Sequence, residues 1–144
     1  MCHDALRDAR ASYGSRVIGS RTGRRSHRFP LYGPTIDAIL LCSALPVFAD
    51  SDLKTFQVDP NDNDIEHCIT EHARAILPVH ILGVAANLDE ILAIVAKHNL
   101  LVIEDACQRH MAEWRGKKRG TLGKVGCCSF QESKNLPGGG HRER

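Results

Sequence analysis

Short continuous apolar runs alternate along the chain with segments whose apolar residues recur at helical spacing. The runs lie at residues 46–50 (PVFAD), 73–80 (ARAILPVH), 100–106 (LLVIEDA) and 124–130 (KVGCCSF). They are largely apolar throughout rather than at every second position, which is typical of strands covered on both faces. Strands that alternate with helices form parallel βαβ units, so the pattern predicts an α/β fold with a mostly parallel sheet.

Three helices are predicted between these runs. Residues 34–44 have apolar residues at helical spacing, with Pro34 in the first turn. A second helix is predicted with Asp59 as N-cap and Pro60 at its first position. The third has Asn87 as its candidate cap. Its apolar face, at positions i, i+3, i+4 and i+7, is formed by Leu88, Ile91, Leu92 and Val95.

The first 30 residues differ from the rest in charge and pattern. They contain seven arginines against Asp4 and Asp8, a formal net charge of +5, although the whole chain carries only +2. Large apolar residues are few there and show no clear period. We therefore expect residues 1–30 to be disordered or foreign to the fold behind them.

Length and cysteine content narrow the class of protein. The 144 residues correspond to one domain, long enough to bury a core. No stretch approaches the roughly 18 apolar residues that span a bilayer, and no signal-peptide apolar region follows the start. We therefore expect a cytoplasmic protein whose six cysteines are free thiols.

Ionisable residues cluster where the predicted strands end. In parallel sheets the carboxyl ends of the strands meet at one edge, where ligands bind. Three of the four runs carry an ionisable residue at this end, and the fourth leads within four residues to a lysine. The residues predicted to share the edge are Asp50, His80, Glu104, Asp105 and Lys134.

Asp105 and Lys134 together suggest one kind of chemistry. A lysine amine can form a Schiff base with a carbonyl cofactor such as pyridoxal phosphate (PLP), and a carboxylate can keep the pyridine nitrogen of PLP protonated. Ser129 and the turn after it could supply donors for a phosphate. The pattern alone leaves plainer interpretations open, in which Lys134 is a solvated loop lysine and Asp105 a turn acid. Asp50 fits a turn residue better than a ligand.

The segment VIEDACQRHMAEWRGKKRGTLGKVGCCSFQESKNL, residues 102–136, resembles the core of the DegT/DnrJ/StrS family of PLP-dependent sugar aminotransferases. Its EDACQ strand end, its G-x-x-G-x-x-G stretch at 120–126 and its SFQESKN segment are each similar to a motif of that family. The preceding PVFAD, ARAILPVHILG and LDEILAIVAKHNLLVIEDA also fit. The resemblance therefore covers about residues 34–140.

This resemblance implies a fold and a set of site residues. The fold would be the three-layer large domain of PLP-dependent transferases of the aspartate-aminotransferase type, here incomplete. Lys134 would bind PLP as a Schiff base and later shuttle the proton, and Asp105 would pair with the pyridine nitrogen. Gln108 would contact the ring near its phenolic oxygen, and Ser129 would hold the phosphate. His80 is a substrate-side candidate with no firm role.

The reaction implied by the resemblance moves an amino group from glutamate or glutamine to a keto-sugar, often nucleotide-linked, or to a keto-cyclitol. Family members are generally homodimers and serve nucleotide-sugar or polysaccharide biosynthesis. The chain also departs from the family, whose members are far longer. Residues 1–30 lack the family's serine-glycine-threonine segment that opens a helix on the phosphate. Arg109 and Met111 stand where small residues are usual.

These departures predict three segments: residues 1–30 outside the fold, a partial large domain at 31–140, and a tail at 141–144. The chain then reads as the middle of a large domain, with foreign or frame-shifted sequence ahead of it and a premature stop behind. We expect the isolated chain to lack transaminase turnover. A catalytically inactive remnant is therefore the alternative to an active enzyme.

Two further classes of function remain open. Cys107 and His110, together with Cys127 and Cys128, offer zinc-type ligands, but adjacent cysteines on a strand point to opposite faces. The arginine-rich start could bind nucleic acid. Few aromatic residues interleave with these arginines, however, and no recognition motif follows them.

Overall fold

A parallel sheet of five strands forms the centre of the protein. The computed structural model describes residues 16–20, 33–52, 54–60, 64–109, 113–118, 120–132, 134 and 136–138. The sheet strands are β1 (Arg16–Ser20), β2 (Leu45–Ala49), β3 (Ala73–Leu77), β4 (Leu101–Asp105) and β7 (Val125–Cys127). Their spatial order is β2-β1-β3-β4-β7, and every neighbouring pair is parallel.

Helices connect these strands. They are α1 (Gly33–Leu41), α2 (Asp64–Cys68) and α3 (Leu88–His98), with a single 3₁₀ turn at Ile81–Gly83. A small antiparallel hairpin, β5 (Glu113–Trp114) and β6 (Lys117–Lys118), lies between β4 and β7.

Hydrophobic clusters cover both faces of the sheet. Because successive residues of a strand point to opposite faces, adjacent residues of β3 enter different clusters. Ile76 lies in the cluster that includes Leu88 and Ile91 of α3. Leu77 lies in the other cluster, with Ile39 of α1. Helices therefore form layers on the two sides of the sheet, which confirms the predicted three-layer α/β architecture.

Helix α3 follows the predicted apolar face. Leu88 and Ile91 are fully buried, and Leu92 and Val95 pack against the same core. The carbonyl of Asn87 accepts a hydrogen bond from the backbone N–H of Ile91, as expected at an N-cap position, but the Asn87 side chain makes no capping bond. The helix therefore owes its stability mainly to its packed face.

The expectation that residues 1–30 are disordered or foreign to the fold is wrong for residues 16–20. These residues form β1, which pairs with β2 on one side and β3 on the other. Val17 and Ile18 are completely buried, one in each cluster. The high arginine count over thirty residues concealed a five-residue strand with only two large apolar side chains. The rest of residues 1–30, and residues 141–144, lie outside the described residues.

The predicted start of the second helix is also wrong. Asp59 and Pro60 precede α2, which begins at Asp64. The backbone N–H of Asp59 donates instead to the carbonyl of Asp50, and Ser51 forms an antiparallel bridge with Val58. The chain thus folds back on itself after β2, and this pairing uses the backbone of the residue predicted as the cap.

Four of the described cysteines are free thiols, as predicted: Cys42, Cys68, Cys107 and Cys128. Cys127 is the exception, because it is disulfide-bonded. Sequence spacing alone does not reveal which cysteines meet in space. Within the described part of the chain, the structure has no helix that could span a membrane.

Candidate active site

The carboxyl end of β4 is joined to the segment that follows β3. The backbone N–H of His80 donates to the carbonyl of Asp105, and the N–H of Asp105 donates to the carbonyl of Pro78, both over 2.9 Å. These bonds extend the parallel pairing with β4 past the end of β3. The predicted juxtaposition of His80 with Glu104 and Asp105 is therefore confirmed.

The Asp105 carboxylate is held through both of its oxygens. The Thr35 hydroxyl donates to Oδ2 over 2.7 Å, and the backbone N–H of Cys107 donates to Oδ1 over 3.1 Å. Asp105 is 7% exposed, so little water competes for these oxygens. The result is a fixed, nearly buried hydrogen-bond acceptor at the edge of the sheet where ligands of α/β proteins bind.

Glu104, the acid next to Asp105, forms hydrogen bonds inside the protein. Its side chain is completely buried. Oε1 accepts from the backbone N–H of Leu122 over 2.6 Å and of Gly123 over 2.5 Å. Oε2 accepts from the N–H of Gly120 over 2.9 Å and lies 3.3 Å from Nε2 of His80. Four donors thus converge on one carboxylate.

These hydrogen bonds set the pKa of Glu104. Burial by itself raises the pKa, but the bonds from His80 and from the backbone N–H groups of Gly123, Gly120 and Leu122 outweigh burial and lower the pKa below its ordinary value. Glu104 is therefore a buried anion stabilised by donors, and it anchors the turn at residues 120–123 that leads into β7.

His80 is the link between Glu104 and the start of α3. Its Nδ1 accepts from the backbone N–H of Ala86 over 3.2 Å, so Nδ1 carries no proton and Nε2 donates to Glu104. His80 is completely buried, and both ring nitrogens are engaged. His80 thus links the two elements through hydrogen bonds, and its role as a substrate-side candidate stays a prediction.

The G-x-x-G-x-x-G stretch has a packing explanation. A Cβ on Gly126 would overlap the carbonyl group of Gly120, and a Cβ on Gly123 would lie 2.8 Å from the carbonyl oxygen of Val102. Gly120 itself has a φ of +80°, which side chains rarely adopt. The three glycines therefore let the turn lie directly against β4 and β7.

Gln108 is oriented by the 3₁₀ turn. Its Oε1 accepts from the backbone N–H of Leu82 over 3.1 Å. The amide nitrogen is the group that remains available to donate to a bound acceptor. Gln57, 2% exposed, braces the same turn by donating to the carbonyl of Ile81 over 3.1 Å. An oriented amide donor fits the contact with a phenolic oxygen that the family resemblance implies for Gln108.

Lys134 lies in a loop closed by backbone hydrogen bonds. The backbone N–H of Lys134 donates to the carbonyl of Gln131, and Gly138 donates to Phe130, both over 2.9 Å. Its side chain is half-buried. The Lys134 charge is close enough to the Cys107 thiol to act on the pKa of that thiol, and the backbone of Cys107 is bonded to Asp105.

Cys107 itself has an unusual pKa. Burial, together with a hydrogen bond to Asp105 and the negative charge of Asp105, raises the pKa of the thiol to about 12. The positive charge of Lys134 acts in the opposite direction but does not cancel these effects. The pKa of this thiol therefore depends on both the predicted carboxylate and the predicted amine of the site.

Ser129 and Asp50 are the other predicted site residues. Ser129 is half-buried, two residues beyond the end of β7 and five before Lys134. Asp50 follows β2, where its carbonyl accepts the N–H of Asp59 in the chain reversal, which agrees with a turn residue. Thr35 and Gln57 could not be predicted as contributors to the site, because their hydrogen-bond partners lie 70 and 24 residues away along the chain.

The described residues contain no group of three or more histidine, cysteine or acidic side chains arranged to hold a metal ion. Of the predicted zinc-type ligands, His110 lies outside these residues, and Cys127 is disulfide-bonded. The side chains of the arginines that could bind nucleic acid, all within residues 1–30, lie outside the described part of the structure. Neither alternative gains support from the described part of the structure.

A set composed of a carboxylate, an amine, a hydroxyl and an amide donor matches the chemical groups of PLP. Asp105 can accept from a pyridine N–H, and Gln108 can donate to a phenolic oxygen. Ser129 carries a hydroxyl suited to a phosphate, and the amine of Lys134 suits a carbonyl carbon. The described residues therefore fit this cofactor chemically.

Comparison with known proteins supports the resemblance to aminotransferases. The model of the DegT/DnrJ/EryC1/StrS aminotransferase family matches residues 32–140. GDP-perosamine synthase of Caulobacter vibrioides is 40% identical over 108 residues, which is 75% of this chain and 29% of that protein. The chain therefore spans less than a third of this relative.

Two solved structures share the fold. An aminotransferase from Psychrobacter cryohalolentis superimposes with a TM-score of 0.81 at 31% identity, covering 96% of this chain and 32% of that one. NtdA from Bacillus subtilis, solved with bound cofactor PMP, has a TM-score of 0.75 at 29% identity and covers 94% and 29% of the two chains.

Proposed function

Because the chain belongs to the DegT/DnrJ/EryC1/StrS aminotransferase family, we propose that it forms the PLP-holding part of a sugar aminotransferase. The reaction is the transfer of an amino group from glutamate or glutamine to a keto-sugar or keto-cyclitol. The observation that carries the proposal is the Asp105 carboxylate, which is held through both oxygens. The Lys134 charge acts on the thiol of Cys107, whose backbone N–H holds one of these oxygens.

Each site residue then has a distinct task. Asp105 accepts a hydrogen bond from the pyridine nitrogen, and Gln108 donates to the phenolic oxygen through its amide nitrogen. Ser129 binds the phosphate with its hydroxyl. When bound, PLP supplies an electron-withdrawing ring that stabilises negative charge at the carbon bearing the amino group.

Lys134 has two tasks in this proposal. Its Nζ holds the cofactor, and the same nitrogen carries the proton that moves during amino transfer. Asp105 is 7% exposed, so little water reaches its carboxylate.

The acceptor class is supported by the relatives. GDP-perosamine synthase is named for a nucleotide-linked amino sugar, so we propose a keto-sugar, often nucleotide-linked, as the acceptor. We also propose a homodimer and a cytoplasmic location, as is usual for the family. Residues 31–140 would be the partial large domain, extended by β1 at Arg16–Ser20.

Covalent trapping tests the proposal. Purified protein is mixed with PLP, and its visible absorption is recorded before and after reduction with borohydride. We expect a visible band that is lost on reduction and a cofactor adduct on the peptide containing Lys134, identified by mass spectrometry. In Lys134→Ala the band and the adduct should both disappear.

Lys117→Ala is the matched control, because this lysine is exposed on β6; its band and adduct should equal those of the wild type. A folded wild-type protein with no band, or an adduct distributed equally over exposed lysines, would overturn the proposal and favour the inactive remnant. Measuring the molecular mass of the protein in solution, with and without PLP, tests in the same preparation whether the chain forms a dimer.

A further inference from the structure

Thr35 makes a long-range bond to the carboxylate of the site. It lies in the first turn of α1, where a hydroxyl residue commonly bonds to the backbone of its own helix. Instead, its Oγ1 donates over 2.7 Å to Oδ2 of Asp105, 70 residues further along the chain. Helix α1 thereby contacts the carboxyl end of β4 through a specific polar contact.

Donors on both carboxylate oxygens limit the orientation of the Asp105 side chain. The terminal torsion of an aspartate side chain is soft and roughly two-fold, so a single hydrogen bond does not fix the carboxylate plane. The N–H of Cys107 holds Oδ1, and the Thr35 hydroxyl holds Oδ2. Without this hydroxyl the carboxylate keeps only its bonds to the backbone N–H and the thiol of one residue, Cys107, and its plane is less constrained.

We infer that Thr35 is a positioning residue that aims the Asp105 carboxylate at the cofactor; the inference rests on the proposed function. Each carboxylate oxygen can accept about two hydrogen bonds, so both oxygens keep room for the pyridine N–H. A carboxylate already aligned with that N–H binds it without a reorientation cost.

Three variants separate the hydroxyl from the rest of the side chain. Thr35→Val keeps the shape of the side chain and removes the donor, whereas Thr35→Ser keeps the donor. Thr55→Val is the matched control, because Thr55 also donates to an aspartate over 2.7 Å, but at an exposed turn with Asp52. Thermal unfolding followed by circular dichroism establishes that each variant is folded.

The experiment is a titration of each folded protein with PLP, recording affinity and the pH at which the visible band changes. Thr35→Val loses a hydrogen bond to a charged group. We therefore expect the dissociation constant of this variant for PLP to rise about tenfold, and the pH midpoint at which its visible band changes to differ from that of the wild type. Thr35→Ser should stay within about threefold of the wild type, and Thr55→Val should match it. Wild-type behaviour of Thr35→Val would overturn the inference.

A second readout works without the cofactor. The ¹³C chemical shift of the Asp105 carboxyl carbon in the PLP-free protein reports the hydrogen bond directly. We expect the shift to change in Thr35→Val and to be retained in Thr35→Ser; an unchanged shift in Thr35→Val would overturn the inference. If the wild type binds no PLP, the proposed function fails, and this shift alone decides whether Thr35 orients Asp105.

Discussion

Gly123 and Glu104 lie 19 residues apart, yet the backbone N–H of Gly123 donates to Oε1 of Glu104 over 2.5 Å. Gly120 and Leu122 add two more backbone donors to the same carboxylate. The turn at 120–123 is therefore fixed to the end of β4, and β7 begins two residues after it. Through this anchor, Glu104 places the strand from which the segment with Ser129 and Lys134 emerges.

Glu104→Gln should destabilise the fold. The amide group that replaces one oxygen would face N–H donors from the turn or from His80, and at least one buried donor would lose its acceptor. We expect the free energy of unfolding to fall by about 3 kcal/mol, measured by urea denaturation. Glu113→Gln, which removes an exposed pair with Lys118, should cost no more than about 1 kcal/mol. Equal effects of the two substitutions would contradict the anchoring role.

The same carboxylate should make stability depend on pH. The pKa of Glu104 is lowered in the folded protein relative to 4.5. The unfolded chain therefore binds the proton more readily, and stability is lost as the pH falls from near 4.5 towards the lowered folded pKa. In urea denaturation at decreasing pH, the wild type should lose more stability over this range than Glu104→Gln. Parallel curves for the two proteins would disprove the contribution of Glu104.

The sheet strands with long apolar runs were predictable, whereas β1 was not. Runs such as LLVIEDA mark buried strands wherever they occur, because burial on both faces selects apolar residues at every position. The described buried side chains of β1 are those of Val17 and Ile18, and its central place in the sheet comes from pairing with two strands that lie further along the chain. No local pattern encodes that pairing.

The site was predictable where a strand end supplies the residue. Asp105, His80 and Glu104 come together because parallel strands end at one edge. The tasks of these residues were harder to foresee: His80 proves to be an internal link between Ala86 and Glu104. Thr35 reaches Asp105 only through the tertiary placement of α1, which is not readable from nearby residues.

Gly126→Ala should be among the most damaging small substitutions. The added Cβ would overlap the carbonyl group of Gly120, and backbone on both sides leaves no flexible side chain to move away. We expect a loss of more than about 3 kcal/mol or failure to fold. Gly33→Ala is the matched control, since a Cβ there meets nothing within 4 Å, and it should change stability by less than about 1 kcal/mol. The measurement is urea denaturation of both variants.

A tolerated Gly126→Ala would show that the turn at 120–123 does not lie against β7 as described. It would also weaken the packing explanation for the G-x-x-G-x-x-G stretch. The explanation does not depend on a cofactor, so this substitution tests the structure separately from the proposed function.

The reactivity of Cys107 should report on Asp105. The pKa of its thiol is about 12, raised by burial and then by the hydrogen bond and charge of Asp105, so little thiolate is present near neutral pH. Asp105→Asn removes the negative charge and should lower this pKa. Each unit of lowering increases the thiolate fraction about tenfold. We therefore expect faster alkylation of Cys107 by iodoacetamide in this variant, followed by mass spectrometry of the peptide that contains it.

Lys134→Ala should change the same rate in the opposite direction. The lysine charge lowers the pKa of the Cys107 thiol, so its removal leaves the thiolate less stable and alkylation slower still. Asp37→Asn, on the exposed face of α1, should leave the rate unchanged. Circular dichroism must show all variants folded, because unfolding would expose every thiol. If Asp105→Asn and Lys134→Ala shift the rate in the same direction while folded, the Cys107 thiol is not close to both charges, and the geometry on which the proposed cofactor site rests is wrong.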